Sequence, residues 1–399
     1  MTFEDHNDGV RITGNFSTGS AGPIEQIGRL TYRVDPKPET VPQWFYDALQ
    51  VNFGGAGVPR EYAFHIQVTA EKDTSIRVHF RFTETNGSGY MDPPYWIRPE
   101  GKSWRPVDEG GVAFEPREHC ELSLDLNARV TVAVANKPYV TPEAIKEEME
   151  TLNVLHPDLS LAEIGVTAEG RRILALETEP REETILVNAT MQPAEPAARP
   201  VLAALHALTD RSALSQRLRE RFQFCFVPMP NPNGSHHGMS CTNGEGAVPM
   251  FSFGRHLDGE QAPEETAAFW RYAEKLRPTG HVEFHTHYQD TRLHKLNPLS
   301  TEWFSDATKA RAKGTTDYVL GMNDAWRVTE LSPDTPIVRA GKFVNLGERF
   351  DTIGYCYQIY ALTEEATCHL AADAVKRLGE GLAWTVWREE VGVPEIVKG

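Results

Sequence analysis

The side chains of this 399-residue chain that could do chemistry gather in four short clusters: ATMQPAEPAA (189–198), NPNGSHHG (231–238), HTHYQD (285–290) and LTEEATCH (362–369). Each closes an apolar run bounded by turn signals, the pattern of a buried strand. Ligands of α/β sheets bind outside the carboxyl ends of the strands, so clusters at several strand ends converge on one site. A Gln, a Glu, several His and further Glu brought together in this way suggest a metal hydrolase. His285 and His287 are two apart on one strand and so face the same side.

Positioning these clusters requires strands that alternate with helices, and the chain supplies them from Lys137-Pro138 onward. ETILVNAT (183–190), FQFCFVPM (222–229), GHVEFHTH (280–287) and CYQIYALTEEA (356–366) read as strands. Residues 197–208, APEETAAFWRYAEKL (262–276) and HLAADAVKRLGEGLAWTVWREEV (369–391) read as helices. The opening helix has Thr141 as its N-cap, Pro142 at its first position and Glu143, Glu147 and Glu148 in its first turns. Such alternation predicts a layered α/β domain over 137–399. Before it, segments such as SIRVHFRF (75–82) alternate with a period of two: Ile76, Val78, Phe80 and Phe82 against Arg77, His79 and Arg81. That is a half-buried antiparallel strand, and several of them predict a β-sandwich over 26–136. His65 and His79 are expected on solvated strand faces. Residues 1–25, rich in Gly, Ser, Asn and Asp, read as a flexible start.

The surface those elements present is acidic. Against 40 Lys and Arg stand 56 Asp and Glu, a net −16, which repels phosphate backbones and anionic lipid. Nucleic acid and membrane are therefore not expected partners, and no stretch reaches the roughly 20 apolar residues that span a bilayer. The acidic start MTFEDHNDGV lacks the features of a signal peptide, and five cysteines without C-x-x-C spacing read as reduced thiols. The expected location is cytoplasmic.

From Tyr139 the order of motifs resembles the zinc carboxypeptidase (funnelin) family. Y-x-T-P-E-x-I-x-x-E with EIGVTAEGRRILALE (163–177) is similar to its opening helix and strand pair. QPAE (192–195) stands where the family has H-x-x-E, NPNG (231–234) where it has N-P-D-G, FHTHYQ (284–289) where it has H-S-x-x-Q, and TEE (363–365) where it has T-x-E. The N-terminal sandwich, with Tyr90-Met91-Asp92-Pro93 and Trp104-Arg105, is similar to that of the cytosolic carboxypeptidases. The resemblance implies a mixed-sheet zinc-carboxypeptidase-like α/β domain behind an antiparallel β-sandwich domain. It implies Zn2+ as cofactor, Gln192, Glu195 and His285 as its ligands, and Glu365 as general base, with Glu364 the less favoured candidate. Three ligands leave a fourth position for water, whose pKa falls toward ~7 on zinc.

Two departures from the family follow. Gln192 replaces an imidazole with a neutral amide oxygen, a harder donor, which weakens zinc affinity or favours a harder metal. A site without metal, or one in which His287 supplies the missing imidazole, are the alternatives; otherwise His287 lines the pocket. The second departure is SHHGMSCTNGEGAVPMFSFGRHLDG (235–259), where the family carries an Arg that polarises the scissile carbonyl and an Asn-Arg pair that binds the terminal carboxylate. Cys241, Pro249, Met250 and Phe251 occupy those places. Arg255 could substitute as the carboxylate anchor, and His236 or His237 as the donor to an oxyanion. Glu283 either holds the His285 ring from behind or is exposed. The expected activity is metal-dependent hydrolysis of a peptide or amide bond with atypical substrate recognition. A small-molecule amidase or deacylase is the alternative, as is a non-catalytic binding protein that keeps a vestigial site. The expected partner is a peptide or a small amide substrate.

Overall fold

The computed structural model of the chain describes residues 2–52, 61–83, 92–115, 119–289, 293–321, 327–328 and 335–391. Tyr90 and Met91 of the sandwich motif lie outside them. Strands β1 (Thr2–Asp5), β2 (Val10–Thr13), β3 (Ile24–Gly28), β4 (Thr31–Val34), β5 (His65–Ala70), β6 (Thr74–Arg81), β7 (Trp96–Pro99), β8 (Arg105–Pro106), β9 (Val112–Glu115), β10 (His119–Leu126) and β11 (Val132–Ala135) form two sheets, with helix α1 (Gln43–Asn52) between β4 and β5. Their orders are β1-β2-β5-β11-β7-β8 and β3-β4-β6-β10-β9. Ile12, Ile66 and Val68 of the first sheet share one core with Val78, Phe80 and Leu122 of the second, which makes the pair a sandwich.

Three expectations change here. Residues 1–25 are not a loose start, because β1 and β2 pair with each other and β2 pairs with β5. The sandwich is antiparallel except for β4 and β6, which run parallel. His65 is fully buried. Its strand lies inside the first sheet, and its ring packs against Phe16, Trp104 and Tyr139 while Thr18 bonds Nδ1 at 3.0 Å. Burial pushes its imidazole pKa down to about 3, so it is a neutral core residue. His79 is half-buried and pairs with Glu121 at 2.5 Å.

The remainder is layered as expected. Helix α2 (Pro142–Leu155) starts on the Thr141 hydroxyl, which accepts from Ala144 N at 3.2 Å. Strands β12 (Ser160–Val166), β13 (Arg172–Glu177), β14 (Glu183–Ala189), β15 (Phe222–Val227), β16 (Gly280–Thr286), β17 (Lys295–Pro298), β18 (Arg327–Val328) and β19 (Ile353–Ile359) form a third sheet, ordered β12-β13-β15-β14-β16-β19-β17-β18. The run β15-β14-β16-β19 is parallel, with antiparallel pairings flanking it at β13 and β17. Helices α3 (Ala198–Leu208), α4 (Ala213–Arg221), α5 (Pro232–His236), α6 (Phe253–Leu257), α7 (Glu264–Leu276), α8 (Asp306–Leu320), α9 (Pro336–Ala340), α10 (Lys342–Phe350) and α11 (Glu364–Val391) complete it.

Alternation along the parallel strands decides which side chains reach the site. Val282 and Phe284 of β16 join Ile185 and Val187 of β14 in the core under α3 and α11. His281, Glu283 and His285 therefore turn to the opposite face, where α7 and α10 pack. The cluster 362–369 does not end a strand: β19 stops at Ile359 and α11 begins at Glu364. The Thr363 hydroxyl accepts from Ala366 N at 3.1 Å, and two acidic residues fill the first turn. Hydroxyl cap and acidic first turn are the chemistry of a helix N-terminus.

Candidate metal centre

Gln192 and Glu195 sit in the connection from β14 to α3, which is pinned at several points. Thr190 takes a left-handed backbone (φ 55°), and its hydroxyl accepts from Ala197 N at 3.1 Å. Ala194 N donates to Ser240 O at 3.3 Å, and Ala194 O accepts from the Lys137 ammonium at 2.7 Å. The NPNG turn supplies more than a change of direction. Asn231 caps α5 by accepting from Gly234 N, while its amide donates to Met191 O at 3.1 Å and Thr242 O at 3.2 Å. Gly234 is required by space: a Cβ there would lie 2.3 Å from Thr242 O and 2.6 Å from Pro193 Cγ.

That connection delivers Glu195 against the end of β16. Glu195 Oε2 and His285 Nδ1 stand 2.5 Å apart, and both side chains are 4% exposed. Behind the ring, His285 Nε2 lies 3.5 Å from Glu283 Oε2. The other Glu283 oxygen accepts from Lys342 Nζ at 2.6 Å and Asn188 Nδ2 at 3.0 Å, and Asn188 Oδ1 meets His281 Nε2 at 2.8 Å. Glu283, Lys342 and His281 are fully buried, so the exposed alternative for Glu283 falls. Burial works against each charge, but Lys342 and His285 hold the Glu283 carboxyl well below its usual range. Burial opposes the Glu195 charge as well, and His285 beside it nevertheless brings its pKa to about 2. His285 is raised well above the ordinary histidine value despite burial, by Cys356 and by the flanking Glu195 and Glu283 carboxylates.

Gln192 reaches the same cluster through Tyr62, whose hydroxyl is 3.4 Å from Gln192 Nε2 and 3.4 Å from Glu195 Oε1. Cys241 Sγ lies 3.6 Å from that hydroxyl and 4.0 Å from Gln192 Nε2. Lys137, also fully buried, stands over the Tyr62 ring at 5.6 Å. His287 is buried and stacks on Tyr360 with ring centroids 4.5 Å apart.

Of the remaining candidates, His236, His237 and Arg255 are engaged elsewhere. His236 meets Ser17 Oγ at 3.2 Å and Glu143 at 3.8 Å, and His237 pairs with Glu169 at 2.7 Å. Arg255 pairs with Glu260 and stacks on Trp44 at 5.1 Å. Cys241 and Met250 are buried. Glu365 is exposed on the first turn of α11, while Glu364 pairs with Arg199 at 3.3 Å. Opposite His285 across the parallel pairing of β16 and β19 stands Gln358.

Residues 145–247 match the family model for zinc carboxypeptidases. This segment is similar to the zinc carboxypeptidases. The match includes Gln192 and Glu195 and ends before His285. Solved structures extend the likeness in fold to nearly the whole chain. A metallo-carboxypeptidase from Burkholderia cenocepacia superposes with a TM-score of 0.76 at 14% identity, covering 94% of this chain and 99% of the other. A putative carboxypeptidase from Burkholderia mallei ATCC 23344 gives 0.75 at 16% identity, over 94% and 97%. A metallo-carboxypeptidase from Pseudomonas aeruginosa, in complex with (2-guanidinoethylmercapto)succinic acid, gives 0.72 at 14% identity, over 93% and 99%. No curated protein sequence matches the chain. The mixed α/β fold stands on these structures, and the zinc-carboxypeptidase resemblance, with the class of zinc metallohydrolase and Zn2+ as cofactor that it carries, stands on the family-model match. Among the described residues, no helix is long and apolar enough to cross a membrane.

The donor set fits such a cation. Among the described residues, no group of three His, Cys, Asp or Glu gathers at metal-binding distance. One carboxylate, one imidazole and one amide would supply oxygen and nitrogen donors of the kinds that zinc accepts. The sequence motifs pointed to Glu195 and His285. They did not point to Tyr62, Lys137 or Lys342, which lie outside every motif.

Proposed function

We propose that the protein hydrolyses a peptide or amide bond at a zinc centre held by Gln192, Glu195 and His285, and that its substrate is not gripped by a free C-terminal carboxylate. The observation that carries the reading is the buried contact of Glu195 with His285, with Gln192 on the tyrosine hydroxyl that also touches Glu195. When bound, Zn2+ supplies Lewis acidity and brings the pKa of a water toward ~7. The chain does the rest. Glu283 lies behind His285 and, fixed by Lys342 and Asn188, restrains the ring. Glu365, on the turn of helix that follows β19, takes the proton of the attacking water and passes it to the leaving nitrogen.

The substrate claim rests on residues 235–255. Cys241, Met250 and Phe251 stand where the family's arginines are expected, and Arg255 is spent on Glu260 and Trp44. A terminal carboxylate needs a bidentate cation for tight recognition. A blocked or non-peptide amide does not. Assaying matched peptides with a free C-terminus and with a C-terminal amide tests this: the amide-blocked set is cleaved at least as well, whereas a strict requirement for the free acid makes the protein an ordinary carboxypeptidase.

A further inference from the structure

A glutamine ligand raises a problem that a histidine does not. Its amide has an oxygen and a nitrogen of nearly equal size, and only the oxygen can face a cation. Something must fix which way round it sits. Tyr62, in the segment that leads into β5 of the sandwich, is placed to do so. It is 1% exposed, and its backbone is fixed on both sides: Tyr62 N donates to Ser240 Oγ at 2.9 Å, and Tyr62 O accepts from Asn136 Nδ2 at 2.7 Å.

The direction of each bond at its hydroxyl follows from the partners. An ionised Glu195 can only accept, so the phenol O–H donates to Oε1 at 3.4 Å. The phenol oxygen keeps its lone pairs and accepts from Gln192 Nε2, also at 3.4 Å. Reversing the amide would set its oxygen against a hydroxyl whose proton is already committed to Glu195. The same arrangement leaves Glu195 Oε2 for the side of His285.

We propose that Tyr62 is the positioning residue that lets Gln192 serve as a metal ligand: it takes the amide nitrogen and so turns the amide oxygen toward the cation. The β-sandwich thereby contributes a group to the metal centre of the other domain. This rests on the zinc site proposed above.

The test is a double-mutant cycle read as zinc affinity, by competition with a chromogenic chelator. The four proteins are the wild type, Tyr62→Phe, Gln192→Glu and the double variant. Glutamate is isosteric with glutamine, but both of its branches are oxygen, so there is nothing to orient. Tyr62→Phe in the wild-type background raises the zinc Kd by about 10–100-fold. In the Gln192→Glu background the same change costs about threefold or less, and the residue pair is thereby coupled. Thermal unfolding of the metal-free proteins, in chelator, stays alike for Phe and Tyr. Equal losses in both backgrounds, or a loss matched by lower metal-free stability, mean a merely structural tyrosine and overturn the proposal. Unchanged affinity in Tyr62→Phe also overturns it, while leaving the zinc site standing. A wild type that takes up no zinc removes the zinc site and this role together. If Tyr62→Phe fails to fold, the hydroxyl is a structural element first, and the proposal falls.

Discussion

Glu283 and Lys342 form an ion pair with no exposed surface, 2.6 Å apart, directly behind His285. Removing one partner strands the other charge in the interior. Lys342→Met is therefore expected to destabilise the fold by about 3–5 kcal/mol in urea unfolding, far more than an exposed lysine change. A loss below about 1 kcal/mol would mean that Glu283 is neutral or otherwise compensated. Glu365→Gln is expected to lower turnover by about 10²–10⁴-fold with zinc content unchanged, whereas Glu364→Gln, which breaks the contact to Arg199, retains activity. Full activity in Glu365→Gln would assign the base elsewhere. Lys137 gives a pH signature. Burial brings its pKa to about 8 from 10.5. Between those values the unfolded chain holds a proton that the folded chain has shed, so its contribution to stability rises with pH across that window and is flat below it. The unfolding free energy of wild type minus that of Lys137→Met, measured from pH 7 to 10, should be level up to about pH 8 and climb thereafter. A level difference throughout would contradict the assignment. At this scale the motif spacing singled out Glu195 and His285, which the fold brings into contact. Lys137 and Lys342 were not singled out, because a lysine is normally a surface residue and nothing local in sequence marks its burial.

The elements were legible wherever periodicity was strong. The β14, β15 and β16 strands and the helices α2, α3 and α7 fall where the apolar patterns put them, and His285 lies on the strand that GHVEFHTH predicts. TEE at 363–365 was misread because an apolar strand followed by Thr and two Glu satisfies two patterns: a strand-end carboxylate and a capped helix start. The cap won, since Thr363 accepts from Ala366 N and the acids favour the helix N-terminus. Thr363→Ala is expected to cost about 1 kcal/mol of thermal stability by fraying the first turn of α11. No change would mean that the hydroxyl is not a cap. The short strands β1 and β2 were missed because polar, glycine-rich segments carry little periodicity. Their pairing to β5 is a tertiary effect that propensity does not contain.

The two sheets of the sandwich and the layered domain are one working unit at the scale of the whole molecule. Ala194, Cys241 and Val248 belong to the same apolar core as the sandwich strands. The buried Glu39 carboxylate accepts from the backbone N–H groups of Ser240, Cys241 and Thr242, beside the proposed site. No sequence pattern could reveal this, because it depends on how two independently patterned segments face each other. A chain cut to 137–399 is accordingly expected to lose its cooperative unfolding transition, seen by circular dichroism, since it bares that apolar surface. A truncated domain that folds and unfolds cooperatively would show the sandwich to be dispensable.

The central claim is that Gln192, Glu195 and His285 hold a zinc ion despite the missing imidazole. Elemental analysis by mass spectrometry, after zinc loading and dialysis, tests it most directly when run on the wild type beside Glu195→Gln and His285→Ala. About one zinc per wild-type chain, with each variant falling well below it, is the predicted result. A wild type that dialyses metal-free, or variants that keep the metal, would contradict it.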